Sequence, residues 1–122
     1  MSTGMPGEGT KVGLTTSTTV EPGGRVIVHV RGELDLSCVA QFLVALDEAI
    51  ETQPPAVELD LGALAFMDSS GVGAYVHAFR RARSKKVALT IGKRSPAVDR
   101  VLELSGVEDA LSAEGGGKHP TP

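Results

Sequence analysis

Asp68, Ser69, Ser70 and Gly71 stand together where a short alternating apolar run ends and an amphipathic run begins. A carboxylate beside two hydroxyls suits three kinds of chemistry. A hydroxyl can cap a helix, accept a phosphoryl group or, given a base, act as a nucleophile. The surroundings exclude the nucleophile. Neither serine lies in a G-x-S-x-G elbow, His77 is two helical turns beyond Ser69, and His119 falls in the C-terminal end of the chain. Gly71-Val72-Gly73 begins like a dinucleotide fingerprint, but Val76 stands where the third glycine belongs, and no phosphate loop ends in Gly-Lys-Ser or Gly-Lys-Thr. Three scattered histidines and one cysteine give no zinc spacing. Asp35, Asp60 and Asp68 could gather a magnesium ion, but Asp60 is expected on the far face of a sheet. The chain is therefore read as a non-enzyme with no metal and no cofactor.

The elements that position this cluster are legible from periodicity. Val57, Leu59 and Leu61 alternate with Glu58 and Asp60, the pattern of a strand with one buried face. Val72, Val76 and Phe79 recur at helical spacing, with His77, Arg80 and Arg81 off that stripe. The small polar residues then fall at the first turn of a helix, where unpaired N–H groups and the macrodipole favour an anion. A phosphate on a serine there is locally stabilised; the plainer alternative is a serine that only caps the helix.

Leu14 to Val20 and Arg25 to Arg31 flank the turn signal Glu21-Pro22-Gly23-Gly24 and read as a β-hairpin. Val26, Val28 and Val30 form one face of its second strand; Arg25, His29 and Arg31 lie on the other, with Ile27 the apolar exception. His29 is expected to be an exposed strand residue rather than a ligand. Asp35 or Ser37 can cap the next helix, whose stripe is Val39, Phe42, Leu43, Leu46 and Ile50 and which Pro54-Pro55 ends. Cys38 is placed in its first turn as a small packing residue. Val87, Leu89 and Ile91 mark a third one-faced strand, followed by a loop at Gly92 to Arg94. Ser95 caps a last helix with Pro96 at its first position, a stripe of Val98, Val101 and Leu102, and a stop at Gly106 onto which Val107 packs back.

Three strands joined by helical crossovers are mutually parallel, and the hairpin adds an antiparallel one. One-faced alternation calls for helices on one side only. The expected fold is α/β, a mixed sheet of about four strands with helices packed mainly on one face. Its strand ends should bring Asp35, Asp68 to Gly71 and Gly92 to Ser95 together.

The chain's 122 residues suffice for one core. Residues 13–111 are expected to form the domain, and the aperiodic ends 1–12 and 112–122 to be disordered tails. A net charge of -3 and a pI near 5.6 argue against holding nucleic acid. The local run Arg80, Arg81, Arg83, Lys85 and Lys86 reads as a solvated helix end that complements the dipole. A single cysteine rules out an internal disulfide. With no leader pattern and no apolar run of membrane length, a cytoplasmic protein without membrane contact is expected.

Leu59-Asp60-Leu61 followed by Leu64-Ala65-Phe66-Met67-Asp68-Ser69-Ser70-Gly71-Val72-Gly73 resembles the signature of the STAS domain family, specifically the bacterial anti-sigma factor antagonists. Gly32-Glu33-Leu34-Asp35 upstream, and Ser95-Pro96-Ala97-Val98 with Leu104-Ser105-Gly106 downstream, are similar to family landmarks in the same order. The resemblance covers roughly residues 14–111. It implies a switch: the unphosphorylated antagonist binds an anti-sigma factor, commonly also a serine kinase, and frees a sigma factor; a serine phosphatase reverses the modification. It implies Ser69 as the phospho-acceptor. Asp35, Asp68, Ser70, Gly71, Gly73 and Ser95 become the partner-binding surface, with the two glycines admitting the partner's backbone. The alternative is a STAS domain that acts as an unswitched binding or scaffolding module and senses a small ligand in the same groove.

Overall fold

Strand-forming, β-branched LTTSTTV begins the first element of the computed structural model, which describes residues 13–114. Strand β1 (Leu14–Val20) turns back antiparallel onto β2 (Val26–Leu34). Then come α1 (Val39–Glu51), β3 (Ala56–Met67), α2 (Ser69–Ser84), β4 (Ala88–Arg94), α3 (Pro96–Ser105) and α4 (Val107–Ala113). The sheet order is β1-β2-β3-β4, with β2, β3 and β4 mutually parallel. This is the expected α/β fold with a mixed four-stranded sheet. The expected tail at 1–12, and residues 115–122 of the expected tail at 112–122, lie outside the described residues, while the chain is helical through Ala113, two residues past the expected domain end.

β3 departs most from its expected form. Its buried residues are spaced by two at Val57, Leu59 and Leu61, then by three at Leu64 and Met67. The register gives the reason. From His29 to Arg31 of β2, β3 advances from Asp60 to Ala63, and from Gly32 to Glu33 it advances from Leu64 to Phe66. Each step inserts one extra residue on β3, a bulge that keeps the large apolar side chains on the core face. The strand therefore runs on to Met67, directly against Asp68. On its other side, Gly32 of β2 lets the chain entering β1 come close: its φ is +103°, and a Cβ there would collide with the Gly13 carbonyl.

The core lies on one face of the sheet, where Val28, Val30, Leu34, Val57, Leu59, Leu61 and Leu64 meet Phe42, Leu46 and Ile50 of α1 and Val98 and Leu102 of α3. Phe42 is fully buried. On α2 the expected stripe is corrected. Gly71, Ala74, Tyr75, Ala78, Phe79 and Ala82 face inward, whereas Val72 and Val76 are only partly buried. α2 packs against α1, α3, α4, β3 and β4 at once, and small side chains allow that close approach.

The other face of the sheet is polar. His29 is half-buried there, its Nδ1 donating to Asp60 Oδ2 at 2.8 Å and its Nε2 lying 2.9 Å from Thr19 Oγ1. Asp60 is thus on the far face, as expected. The basic run is not simply solvated. Arg80 and Arg83 pair with Glu114, Arg81 with Asp47 and Glu51, and Lys85 with Glu51.

Two further corrections concern the C-terminal half. Gly92 to Arg94 continue β4 rather than forming a loop, and Arg94 pairs in register with Leu61. Its guanidinium binds both oxygens of Glu108 at 2.7 and 2.9 Å, so α4 covers this strand end. Gly106, expected only as a stop, has φ +66° and joins α3 directly to α4, which buries Val107 and Leu111. No helix among the described residues is long and apolar enough to cross a membrane.

Candidate functional site

The site begins at the parallel ends of β2 and β3. Leu34 pairs with Met67, and the Asp68 N–H donates to the Leu34 carbonyl at 3.3 Å. This sets the turn that follows β2 beside the start of α2. Asp68 has extended backbone (φ -113°, ψ -171°) and is the N-cap of α2. Its Oδ1 accepts from the Ser70 N–H at 3.0 Å and from the Ser70 hydroxyl at 2.5 Å. Asp68 thereby satisfies one of the unpaired first-turn amides and fixes the second serine.

Ser69 occupies the first helical position and is exposed. Among the described residues its hydroxyl has no side-chain hydrogen-bond partner. It stands at the positive end of a helix of 16 residues, where added negative charge is favoured by about 0.3–1 kcal/mol.

Asp35 folds the neighbouring turn in the same manner. Its Oδ1 accepts from the Ser37 hydroxyl at 2.6 Å, the Ser37 N–H at 3.0 Å and the Cys38 thiol at 3.7 Å. The Ser37 hydroxyl chiefly, and then the Ser37 N–H, hold the Asp35 carboxyl below its ordinary value. Neither Asp35 nor Ser37 caps α1 itself: Cys38 is the N-cap and offers no side-chain bond. The turn separates Asp35 from the helix by three residues, so its carboxylate serves the turn.

The two glycines part company. A Cβ on Gly71 would lie 2.9 Å from Leu34 Cδ2 and 3.0 Å from Met67 Cγ, so Gly71 is the close contact between α2 and the strand ends. It is buried at that contact. Gly73 is exposed, with nothing within 4 Å of a Cβ placed on it.

Ser95 also takes a structural place. Its hydroxyl donates to the Leu64 carbonyl at 2.6 Å and accepts from the Val98 N–H at 3.2 Å, and its N–H donates to the Leu61 carbonyl at 3.1 Å. Leu64 lies three residues before Met67, roughly 10 Å along an extended strand. The expected gathering of all three strand ends is therefore incomplete. Asp35 and residues 68–71 meet, while residues 92–95 stop short because β3 outruns β4.

Two apolar residues escaped the sequence reading. Leu36 is 75% exposed in the turn after β2, and Phe66, in register with Glu33, is 45% exposed. The signal for Phe66 was available in the spacing Leu61, Leu64, Met67, which leaves Phe66 off the core. Leu36 and Phe66 both flank the strand ends that lead into Asp35 and Asp68. Among the described residues no group of three or more His, Cys, Asp or Glu could hold a metal ion.

Known proteins share this sequence pattern and this fold. The family model described as "Mlab, STAS domain" matches residues 17–113. The anti-sigma-F factor antagonist RsfA of Mycobacterium tuberculosis is 33% identical over 98 residues, covering 79% of this chain and 73% of that protein. The structure of the anti-sigma factor antagonist SpoIIAA in its unphosphorylated form superposes with a TM-score of 0.64 at 26% identity, covering 86% of this chain and 100% of that one. The Bacillus cell fate determinant SpoIIAA in its phosphorylated form gives a TM-score of 0.58 at 25% identity, over 81% of this chain and 98% of that one. The chain belongs to the STAS domain family, in the branch whose relatives are named anti-sigma factor antagonists.

Proposed function

We propose that the unphosphorylated chain docks on an anti-sigma factor through the surface around Ser69 and so frees a sigma factor in the cytoplasm. Phosphorylation of Ser69 ends that binding. The donor is ATP held by the anti-sigma factor acting as a serine kinase: the γ-phosphoryl group passes to Ser69 Oγ, the hydroxyl proton leaves to a base of the kinase, and ADP departs. A serine phosphatase restores the hydroxyl.

One observation carries this reading. Ser69 is exposed at the first position of α2, and its hydroxyl has no side-chain partner among the described residues, while Asp68 and Ser70 are bonded to each other. A phosphate there adds nearly two charges beside Asp68, at a surface that must lose water on binding. Desolvating unpaired charge costs several kcal/mol, and a thousandfold loss of affinity needs only about 4 kcal/mol. The modification therefore works on the partner surface and leaves the fold in place.

The test incubates the full chain with ATP alone and then with ATP and a candidate anti-sigma kinase, locating phosphate by fragment mass spectrometry. Modification of Ser69 only when the kinase is present, together with loss of complex, supports the switch. A phosphorylated chain that binds as tightly as the unmodified one refutes it.

A further inference from the structure

β1 is an edge of the sheet, and no described strand pairs with its outer side. The ladder shows which of its backbone groups point outward. The Glu21 N–H donates to the Arg25 carbonyl at 2.8 Å, and the Glu33 N–H to the Gly13 carbonyl at 3.1 Å. Hydrogen-bonded and non-bonded pairs alternate in an antiparallel ladder. The register is unbroken from Leu14 opposite Gly32 to Val20 opposite Val26, so Thr15, Ser17 and Thr19 bond inward to β2. Leu14, Thr16, Thr18 and Val20 therefore direct their N–H and carbonyl groups outward. Gln41 Nε2 donates to the Leu14 carbonyl at 2.8 Å, which leaves Thr16, Thr18 and Val20 as the open rungs.

Among the described residues this edge, LTTSTTV, lacks charge, proline and bulge. Beside it lies a groove of about 610 Å³ between β1 and α1, lined by Thr16, Thr18, Ala45, Ala49 and Pro55. Val20 is 67% exposed at its rim.

We propose that β1 pairs antiparallel with β1 of a second copy of this chain, about a two-fold axis through Thr18, joining two sheets into one. The second copy is the occupant because the open rungs are self-complementary. With the axis at Thr18, Thr16 stands opposite Val20 of the other copy, and Thr18 opposite Thr18. That register makes roughly six backbone hydrogen bonds and sets no like charges against each other within the paired strands. It leaves out Leu14, whose carbonyl Gln41 already engages. Directly opposite residues share a face of the sheet, so each exposed Val20 is laid beside Thr16 over the other copy's groove. The pairing uses the outer side of β1, whereas the switch surface lies at the ends of β2 and β3 and the start of α2.

Sedimentation velocity of the full chain, from micromolar to near-millimolar concentration, tests the pairing. The expected result is a concentration-dependent rise from 12.6 kDa to twice that mass. Thr18→Lys and Thr18→Glu each set like charges together at the axis and should weaken the dimer roughly tenfold or more. An equal mixture of the two variants should restore it. Thr18 is exposed and bonds nothing inward, so both variants should keep the wild-type melting temperature at low concentration. A wild-type chain that stays monomeric throughout overturns the proposal and leaves the edge to an extended segment of another protein. A dimer indifferent to either charge overturns the strand pairing, and a mixture that does not reassociate overturns the axis at Thr18.

Discussion

The starts of α2 and α3 are built from similar parts to different ends. Each helix follows a parallel strand, and each has a serine at its entrance. At α3 the serine is the cap: Ser95 Oγ binds both the Leu64 carbonyl and the Val98 N–H, so its proton and a lone pair are committed. At α2 an aspartate is the cap and also holds Ser70, which frees Ser69 of structural duty. Moving the capping role from serine to aspartate leaves a hydroxyl with no side-chain partner among the described residues, beside a dipole that tolerates negative charge. A hydroxyl that the fold does not use can be modified without unfolding the protein.

The largest expected effect separates the two serines by function. Phosphate on Ser69 should weaken anti-sigma binding on the order of a thousandfold, about 4 kcal/mol, with far-UV circular dichroism unchanged. Ser69→Ala should bind like wild type and resist inactivation, while Ser69→Asp, which carries less charge than phosphate, should stay folded and bind weakly. Titration calorimetry on the four proteins decides the matter, and phosphate found on Ser70 instead would break the comparison at its centre.

Packing beneath the same helix start supplies the next contrast. Gly71→Ala should destabilise by roughly 1–3 kcal/mol, because its Cβ meets Leu34 and Met67. Gly73→Ala, in open space, should stabilise by about 0.5–1 kcal/mol. Urea unfolding that gave both substitutions the same sign would remove the distinction between a packed and a presented glycine.

Capping follows, with smaller numbers. Ser95→Ala and Asp68→Ala should each cost about 1 kcal/mol of stability, whereas Ser69→Ala should stay within about 0.5 kcal/mol of wild type. Thermal melts read this directly. If Ser69→Ala fell as far as Ser95→Ala, Ser69 would be a structural residue after all.

The smallest effect tests whether Asp35 does for its turn what Asp68 does for α2. Its folded pKa is lowered, so the folded state binds that proton less readily than the unfolded state does. The associated stability is present above the ordinary value of 3.8 and is lost as pH falls through the lower folded value. The melting-temperature gap between wild type and Asp35→Asn should therefore be present at neutral pH and close below pH 3.8. A gap that persisted in acid would assign the Asp35 contribution to neutral hydrogen bonding.

Local chemistry makes much of this legible in the sequence. Alternation at Val26, Val28 and Val30 and at Val57, Leu59 and Leu61 specified one-faced strands, because side chains of a strand alternate whatever surrounds it. Ser95-Pro96 and Gly106 marked the ends of α3, because capping geometry is settled within a few residues. The Asp68-Ser69-Ser70 order likewise placed a carboxylate ahead of two hydroxyls at a helix start. Tertiary structure decided the rest. The two bulges in β3 exist only in register with β2, and they carry the strand past β4, so that Asp35 joins Asp68 while Ser95 is left behind. Gly71 and the alanines of α2 turned inward because neighbouring elements press on that helix, a pressure invisible to helical periodicity. Which serine is consumed and which is free depended on the partner each hydroxyl meets across the fold, and the Leu64 carbonyl that claims Ser95 is 31 residues away in the chain.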